Sequence, residues 1–348
     1  MFYCEYCAAV NRELSRGPPP LTGAGNIGAV IDAHHHLWDP DAREYRWLRG
    51  GQPWASDQEI ATLRRTFTLR ELAPLAAGAG VTGTVVVQTV DDVWETEDML
   101  SLAAGADPWS ALAGDSHGGG AHGGHGGGSH GGGDGHPLVV GVVGWVDLAA
   151  PNVKDVVASL RSHPGGASLR GIRHPLLGEP DPDWLVRPDV LNGLRELADL
   201  GMCFDVIGPL RQLEAAVTAA QSVPELRFVL NHMGGPPVDT GQPAMDDTWA
   251  SVVRRLGALP NVACKVSGMH SPSTRASTLR PYFETVLEVF GPDRLMFGSD
   301  WPVSSLAAGY GEVCEMYREL TTPLTSAEQD AIYDATARRV YGLDVPSR

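Results

Sequence analysis

Two short runs of this chain carry residue types suited to splitting a bond with water. The first, Ile31-Asp32-Ala33-His34-His35-His36-Leu37-Trp38-Asp39, reads as an apolar strand that finishes in histidines. The second, Phe297-Gly298-Ser299-Asp300-Trp301-Pro302, ends another strand in a carboxylate. Side chains on a strand alternate faces, so His34 and His36 are expected to point one way and His35 the other. At ~3.3 Å rise per residue the two imidazoles stand about 7 Å apart along the backbone, close enough to converge on one metal ion. Asp32 is expected to share the face of His34 and to lie deeper, supporting the site rather than ligating. With both strands in one barrel, a histidine pair and an aspartate meet at its mouth, which is a hydrolase site in outline.

These groups need a scaffold. Strand-like runs occur at 30–36, 84–88, 138–148, 169–174, 202–207, 227–232, 262–266 and 295–300. Helical stretches follow most of them, at 95–104, 153–162, 190–200, 210–221, 249–259, 278–290 and 327–341. Eight such units predict an α/β chain folded as a (β/α)8 TIM barrel, which typically needs about 250 residues. No G-x-G-x-x-G follows the first strand, which weighs against a doubly wound sheet. Barrel active sites sit at the C-terminal ends of the strands. The polar residues closing these strands are His34, His36, Gln88, Asp147, Arg173, His174, Asp205, His232, Lys265 and Asp300.

The predicted barrel spans 29–348, behind an irregular extension at 1–28 that contains Pro18-Pro19-Pro20. It is interrupted by a His/Gly-rich segment at 114–136 that cannot bury a core and is expected to be a flexible insertion. That segment follows a helix and precedes a strand, so it is placed on the face opposite the catalytic mouth. Deleting it is expected to leave turnover intact; the competing reading makes it a handle for nickel or zinc on a non-catalytic protein.

Lys+Arg 26 against Asp+Glu 42 gives a net charge of −16, which opposes nucleic acid and anionic membranes as partners. Five cysteines do not suggest a disulfide framework; Cys203, Cys264 and Cys314 sit in apolar surroundings as expected buried thiols. Cys4 and Cys7 form a lone C-x-x-C without two further ligands nearby. No signal-like N-terminus or run of 18 apolar residues occurs, so cytoplasmic residence is expected.

The motifs IDAHHHLWD, YRWL, VVVQ with ET after it, GVVGWVDL, RGIRH, LNHMGGP, KVSG and FGSDWPV follow one another from residue 29 onward. In this order they resemble the amidohydrolase-related lactonases, among them fuconolactonase, rhamnonolactonase and pyrone-dicarboxylate lactonase. The resemblance implies an amidohydrolase-type barrel that opens a lactone, either a sugar lactone or a catabolic carboxylactone. His34 and His36 match the first-strand metal-ligand pair, His232 the sixth-strand histidine and Asp300 the eighth-strand aspartate. The superfamily's fourth-strand lysine or glutamate and fifth-strand histidine are unmatched, which implies one divalent metal, expected to be zinc, or none.

With zinc, a bound water would have its pKa lowered from about 16 to near 7. In either case Asp300 is expected to act as general base and then acid. Without metal, His34, His36 and His232 polarise the carbonyl. Arg173 and His174 are candidates to hold the carbonyl oxygen or a substrate carboxylate, Arg173 alternatively pairing with Asp147 or Asp205. Gln88, Lys265, Trp38 and Trp301 complete the expected substrate contacts. Decarboxylase or amide-hydrolase chemistry on the same constellation is the alternative. The expected partner is a small-molecule lactone, and a homodimer is the assembly allowed for.

Overall fold

A computed structural model describes residues 28–109, 131–132, 136–238, 243–268 and 275–344. The β-branched runs become eight strands: β1 (Val30–His35), β2 (Val81–Val87), β3 (Val139–Gly144), β4 (Leu169–Pro175), β5 (Cys203–Ile207), β6 (Arg227–Leu230), β7 (Val262–Val266) and β8 (Leu295–Phe297). They are hydrogen-bonded in chain order and every pairing is parallel. The circuit returns to β1 just past β8. There the Asp300 N–H donates to the His34 carbonyl at 2.7 Å and the His36 N–H donates to the Trp301 carbonyl at 2.7 Å. The two motifs singled out in the sequence therefore form the closing seam of the barrel, side by side. The expected (β/α)8 TIM barrel is what the chain builds.

Helices cover the outside: α1 (Leu69–Gly78), α2 (Val93–Ala103), α3 (Val153–Ser162), α4 (Pro188–Asp199), α5 (Leu210–Ser222), α6 (Pro243–Gly257), α7 (Ala276–Phe290) and α8 (Tyr310–Thr321). Two of these, α1 and α8, were not anticipated. The stretch expected as one closing helix is α9 (Ser326–Asp330), a π turn and α10 (Thr336–Tyr341). The expected strands 227–232 and 295–300 stop earlier, at Leu230 and Phe297. Their last residues leave the sheet because His232 and Asp300 both have φ of 56°.

Strand alternation sorts the side chains into two apolar sets. Ile31, Ala33, Val85, Val87, Val143, Cys203, Val229, Ala263 and Met296 fill the barrel interior, which Ala337, Val340 and Tyr341 of α10 seal from below. The opposite faces pack against the helices. β1 breaks the alternation: Asp32 pairs with Thr84 but His35 with Val86, so one extra residue is inserted in β1. This bulge lets His34 join Ile31 and Ala33 inside. Asp32 is turned outward to the Tyr310 hydroxyl of α8, which corrects the expectation that it shares the face of His34.

The expected extension at 1–28 (apart from Gly28), the Cys4/Cys7 pair and most of the insert at 114–136 lie outside the described residues. Of the insert, Gly131–Gly132 pairs antiparallel with His136–Pro137 ahead of β3. Cys203, Cys264 and Cys314 are buried free thiols, as expected. Among the described residues no helix is long and apolar enough to cross a membrane.

Candidate active site

At the strand ends three donor groups, from His34, His36 and Asp300, lie within 4.8 Å of one another and are buried. His36 Nε2 is 3.1 Å from Asp300 Oδ1 and 3.2 Å from His34 Nε2; His34 Nε2 is 3.4 Å from the same carboxylate oxygen. His232 joins them, its Nε2 4.0 Å from Asp300 Oδ1 and its ring centroid 4.6 Å from that of His34. Left-handed backbone is tolerated by few residues, Asp and His among them. At 232 and 300 it swings the side chain off the strand path and toward the barrel axis.

Two glycines make room for this. A Cβ at Gly298 would lie 2.6 Å from His34 Cβ, and one at Gly268 would lie 2.0 Å from His232 Nδ1. The His232 ring is oriented by Ser267, whose Oγ is 2.9 Å from Nδ1. Asp32 ties the two motifs together from outside the barrel. Its Oδ1 accepts the backbone N–H of His34 at 3.2 Å and that of Ser299 at 2.8 Å. Burial raises the Asp32 carboxyl to about 6 against these donors.

Beneath His34 lies a buried network of charge. Lys265 and Asp205, both inward on their strands, pair at 2.7 Å with no exposed surface. Asp205 also accepts from Tyr341 at 2.8 Å and from the Asn231 amide at 2.8 Å. Arg173 donates to Asn231 Oδ1 at 3.2 Å and to the Gln88 carbonyl. Burial, helped by the neighbouring Lys265, holds His34 far below its usual pKa. Burial lowers His36 too, with Asp300 opposing the shift. Burial thus favours the neutral form of both imidazoles.

The arrangement suits a divalent cation in its geometry, and the second contacts of the ligands divide. His36 Nδ1 is 2.7 Å from the Val87 carbonyl, which fixes the proton there and aims the Nε2 lone pair at the cluster. His34 Nδ1 instead faces the Lys265 ammonium at 3.2 Å.

The expected substrate contacts fare unequally. Arg173 reaches the cluster, its Nη1 3.4 Å from His34 Nε2, and touches Asp205 only through Asn231. Asp147 lies exposed and caps the Ala149 N–H, so it is no partner of Arg173. His174 shares the outward parity of Ile172. Its ring stacks on Trp184 at 3.9 Å and its Nδ1 accepts the Trp145 indole N–H at 3.2 Å. Neighbours on a strand face opposite ways, so His174 does not point into the barrel beside Arg173.

Trp38 is fully buried, its indole donating to the Leu63 carbonyl, and Trp301 packs edge-on against Phe67. Gln88 is buried and donates to the Arg173 carbonyl, and Lys265 lies under His34. Trp38, Trp301, Gln88 and Lys265 are thus buried around the cluster, as His34 and Asp300 themselves are. Asn231, Ser267 and Tyr341 escaped the sequence reading. Parity from Val229 would have found Asn231; nothing local points to Tyr341, which arrives from the far end of the chain.

The amidohydrolase family's sequence pattern matches residues 136–343. An L-fucono-1,5-lactonase of Burkholderia multivorans is 32% identical over 336 residues, 92% of this chain and 99% of its own length. The corresponding enzyme of Burkholderia ambifaria is 31% identical over 285 residues, 81% of this chain and 83% of its own. A crystal structure of an amidohydrolase from Burkholderia multivorans with bound zinc superimposes with a TM-score of 0.73 at 31% identity, covering 91% of this chain and all of that one.

Proposed function

The chain belongs to the amidohydrolase family, and from that membership and the geometry of its site we propose that it opens a lactone ring with water. The observation that carries this reading is the buried carboxylate of Asp300, ringed by three imidazoles at 3.1, 3.4 and 4.0 Å at the barrel mouth. Substrates follow those named for its relatives, with L-fucono-1,5-lactone foremost.

Asp300 takes the proton of an attacking water as the new C–O bond forms at the lactone carbonyl. The negative charge that develops on the carbonyl oxygen is met by N–H donors from His34 and His232, with the Arg173 guanidinium behind them. When the acyl–oxygen bond of the ring breaks, Asp300 returns the proton to the departing ring oxygen. The product is an open-chain hydroxy acid, which releases one proton at neutral pH. His36 is oriented by the Val87 carbonyl, and its Nε2, 3.1 Å from Asp300 Oδ1, accepts from the carboxyl once Asp300 has taken up the proton. A divalent ion, zinc in this proposal, would be held by His34, His36 and Asp300 with His232 beside them, and would supply Lewis acidity at the carbonyl and a more acidic water.

The reading includes a small-molecule substrate as partner, a homodimer and the cytoplasm; the buried free thiols are in keeping with a reducing compartment. A pH-indicator screen over sugar lactones and unsaturated carboxylactones, with CO2 and ammonia measured alongside, tests it. One acid released per lactone consumed is the expected result. Gas or ammonia release without lactone opening contradicts it and moves the site to decarboxylase or amidase chemistry.

A further inference from the structure

We propose that Lys265 is a positioning residue that holds His34 in the Nε2–H form and thereby weakens the grip of the site on a divalent metal. The inference rests on a one-way series of hydrogen bonds and does not depend on the lactonase reading. An ammonium has donors and no acceptor. Lys265 Nζ, held by Asp205 at 2.7 Å, lies 3.2 Å from His34 Nδ1, so that nitrogen must accept. In a neutral imidazole the proton then sits on Nε2. Around Nε2 are two acceptors, His36 Nε2 at 3.2 Å and Asp300 Oδ1 at 3.4 Å. The lone pair of His36 Nε2 is available because its own proton is committed to the Val87 carbonyl at 2.7 Å.

The donors run in one direction, from Lys265 through His34 and His36 to a main-chain oxygen. Arg173 Nη1, also only a donor, competes for Nε2 at 3.4 Å while bonding Asn231 Oδ1 at 3.2 Å. It stands farther from its nitrogen, however, than Lys265 does from Nδ1 at 3.2 Å.

A metal needs the lone pair that this proton occupies. Ligating histidines almost always turn their second nitrogen toward an acceptor, which fixes the proton away from the metal. His36 does so and His34 does not. To coordinate through Nε2, His34 must move its proton to Nδ1 and set an N–H against the Lys265 ammonium, beside a second cation in Arg173. The pair Lys265/Asp205 therefore keeps His34 as a hydrogen-bond donor to the reacting groups and makes metal an optional tenant of the cluster.

The test compares the full chain, stripped of metal with EDTA, with Lys265→Met/Asp205→Asn, which removes the pair without leaving a buried carboxylate unpaired. Zinc chloride is titrated calorimetrically into each, and binding that disappears with His34→Ala is assigned to this centre, which separates it from the other histidines of the chain. Long-range 15N–1H spectra of the metal-free proteins read the tautomer of His34 directly. The expected result is His34 protonated on Nε2 in the parent, and zinc bound about tenfold or more tighter by the double variant. A parent His34 protonated on Nδ1, or a folded double variant with zinc affinity unchanged, overturns the proposal. If the double variant does not fold, the tautomer in the parent decides alone.

Discussion

Replacing Gly268 by Ala isolates His232 from every other part of the site. Gly268 has φ of +76°, and the new Cβ would fall 2.0 Å from His232 Nδ1 and 2.1 Å from its Cγ. To regain an ordinary contact of 3.4 Å the imidazole must retreat by about 1.4 Å, breaking its 2.9 Å bond to Ser267. A misplacement of about 1 Å in a catalytic constellation can cost about 100-fold in rate.

The backbone contributes separately: an alanine forced to positive φ costs about 1–2 kcal/mol. Gly80→Ala supplies the control, since Gly80 has φ of +75° and nothing within 4 Å of its Cβ position. Thermal unfolding should show the shared backbone loss in both variants, about 2–4 °C per kcal/mol, with a further loss in Gly268→Ala from the broken His232–Ser267 bond. Proton release from L-fucono-1,5-lactone should fall about 100-fold in Gly268→Ala and remain within twofold of the parent in Gly80→Ala. Equal activity in both variants, with His232 displaced, would refute the placement of His232 among the groups that meet the substrate.

Glu95 is buried, with a carboxyl raised to about 7 by burial against three donors from Thr89 and Val90. Because its folded pKa lies above the ordinary value of 4.5, the folded state keeps the proton longer. Its contribution to stability is therefore full below 4.5 and falls as pH rises through 7, by about 3 kcal/mol relative to Glu95→Gln; urea unfolding at several pH values reads this slope. Tyr310→Phe removes the hydroxyl that donates to Asp32 at 3.0 Å. It should cost about 1–3 kcal/mol at pH 8 and less at pH 5, where the Asp32 carboxyl, raised to about 6, is protonated in the folded state. Arg294 donates to the carbonyls of Gly257, Leu259, Val262, Val289 and Phe290. Arg294→Met should lower stability by about 2–3 kcal/mol with kcat unchanged, as measured by denaturation beside turnover.

The residues of the His34–His36–Asp300 cluster were legible because their spacing is local. His34, His36 and Asp300 are read from single strand ends, and the eightfold recurrence of apolar run and polar end places those strands in one barrel. What escaped depends on the third dimension. The inserted residue in β1 reverses the face of Asp32, and no composition signal marks a bulge. Pro74 lies inside α1 and hid that helix. The outward turn of His174 was within reach, since alternation applied to Arg-Gly-Ile-Arg-His parts it from Arg173. The roles of Lys265 and Tyr341 were not, because each depends on Asp205, a residue distant in sequence. Trp38 and Trp301 illustrate a common limit: the sequence beside a site motif does not say how deeply an aromatic ring will be buried.

The central claim is that Asp300 moves the proton in the opening of a lactone. Steady-state turnover of L-fucono-1,5-lactone by the parent and by Asp300→Asn, with unfolding temperature measured on both, tests it most directly. General acid–base catalysis is worth about 10²–10⁴-fold. The account expects a loss of kcat in that range in a variant that remains folded. An Asp300→Asn protein that hydrolyses the lactone within a few-fold of the parent rate would contradict it.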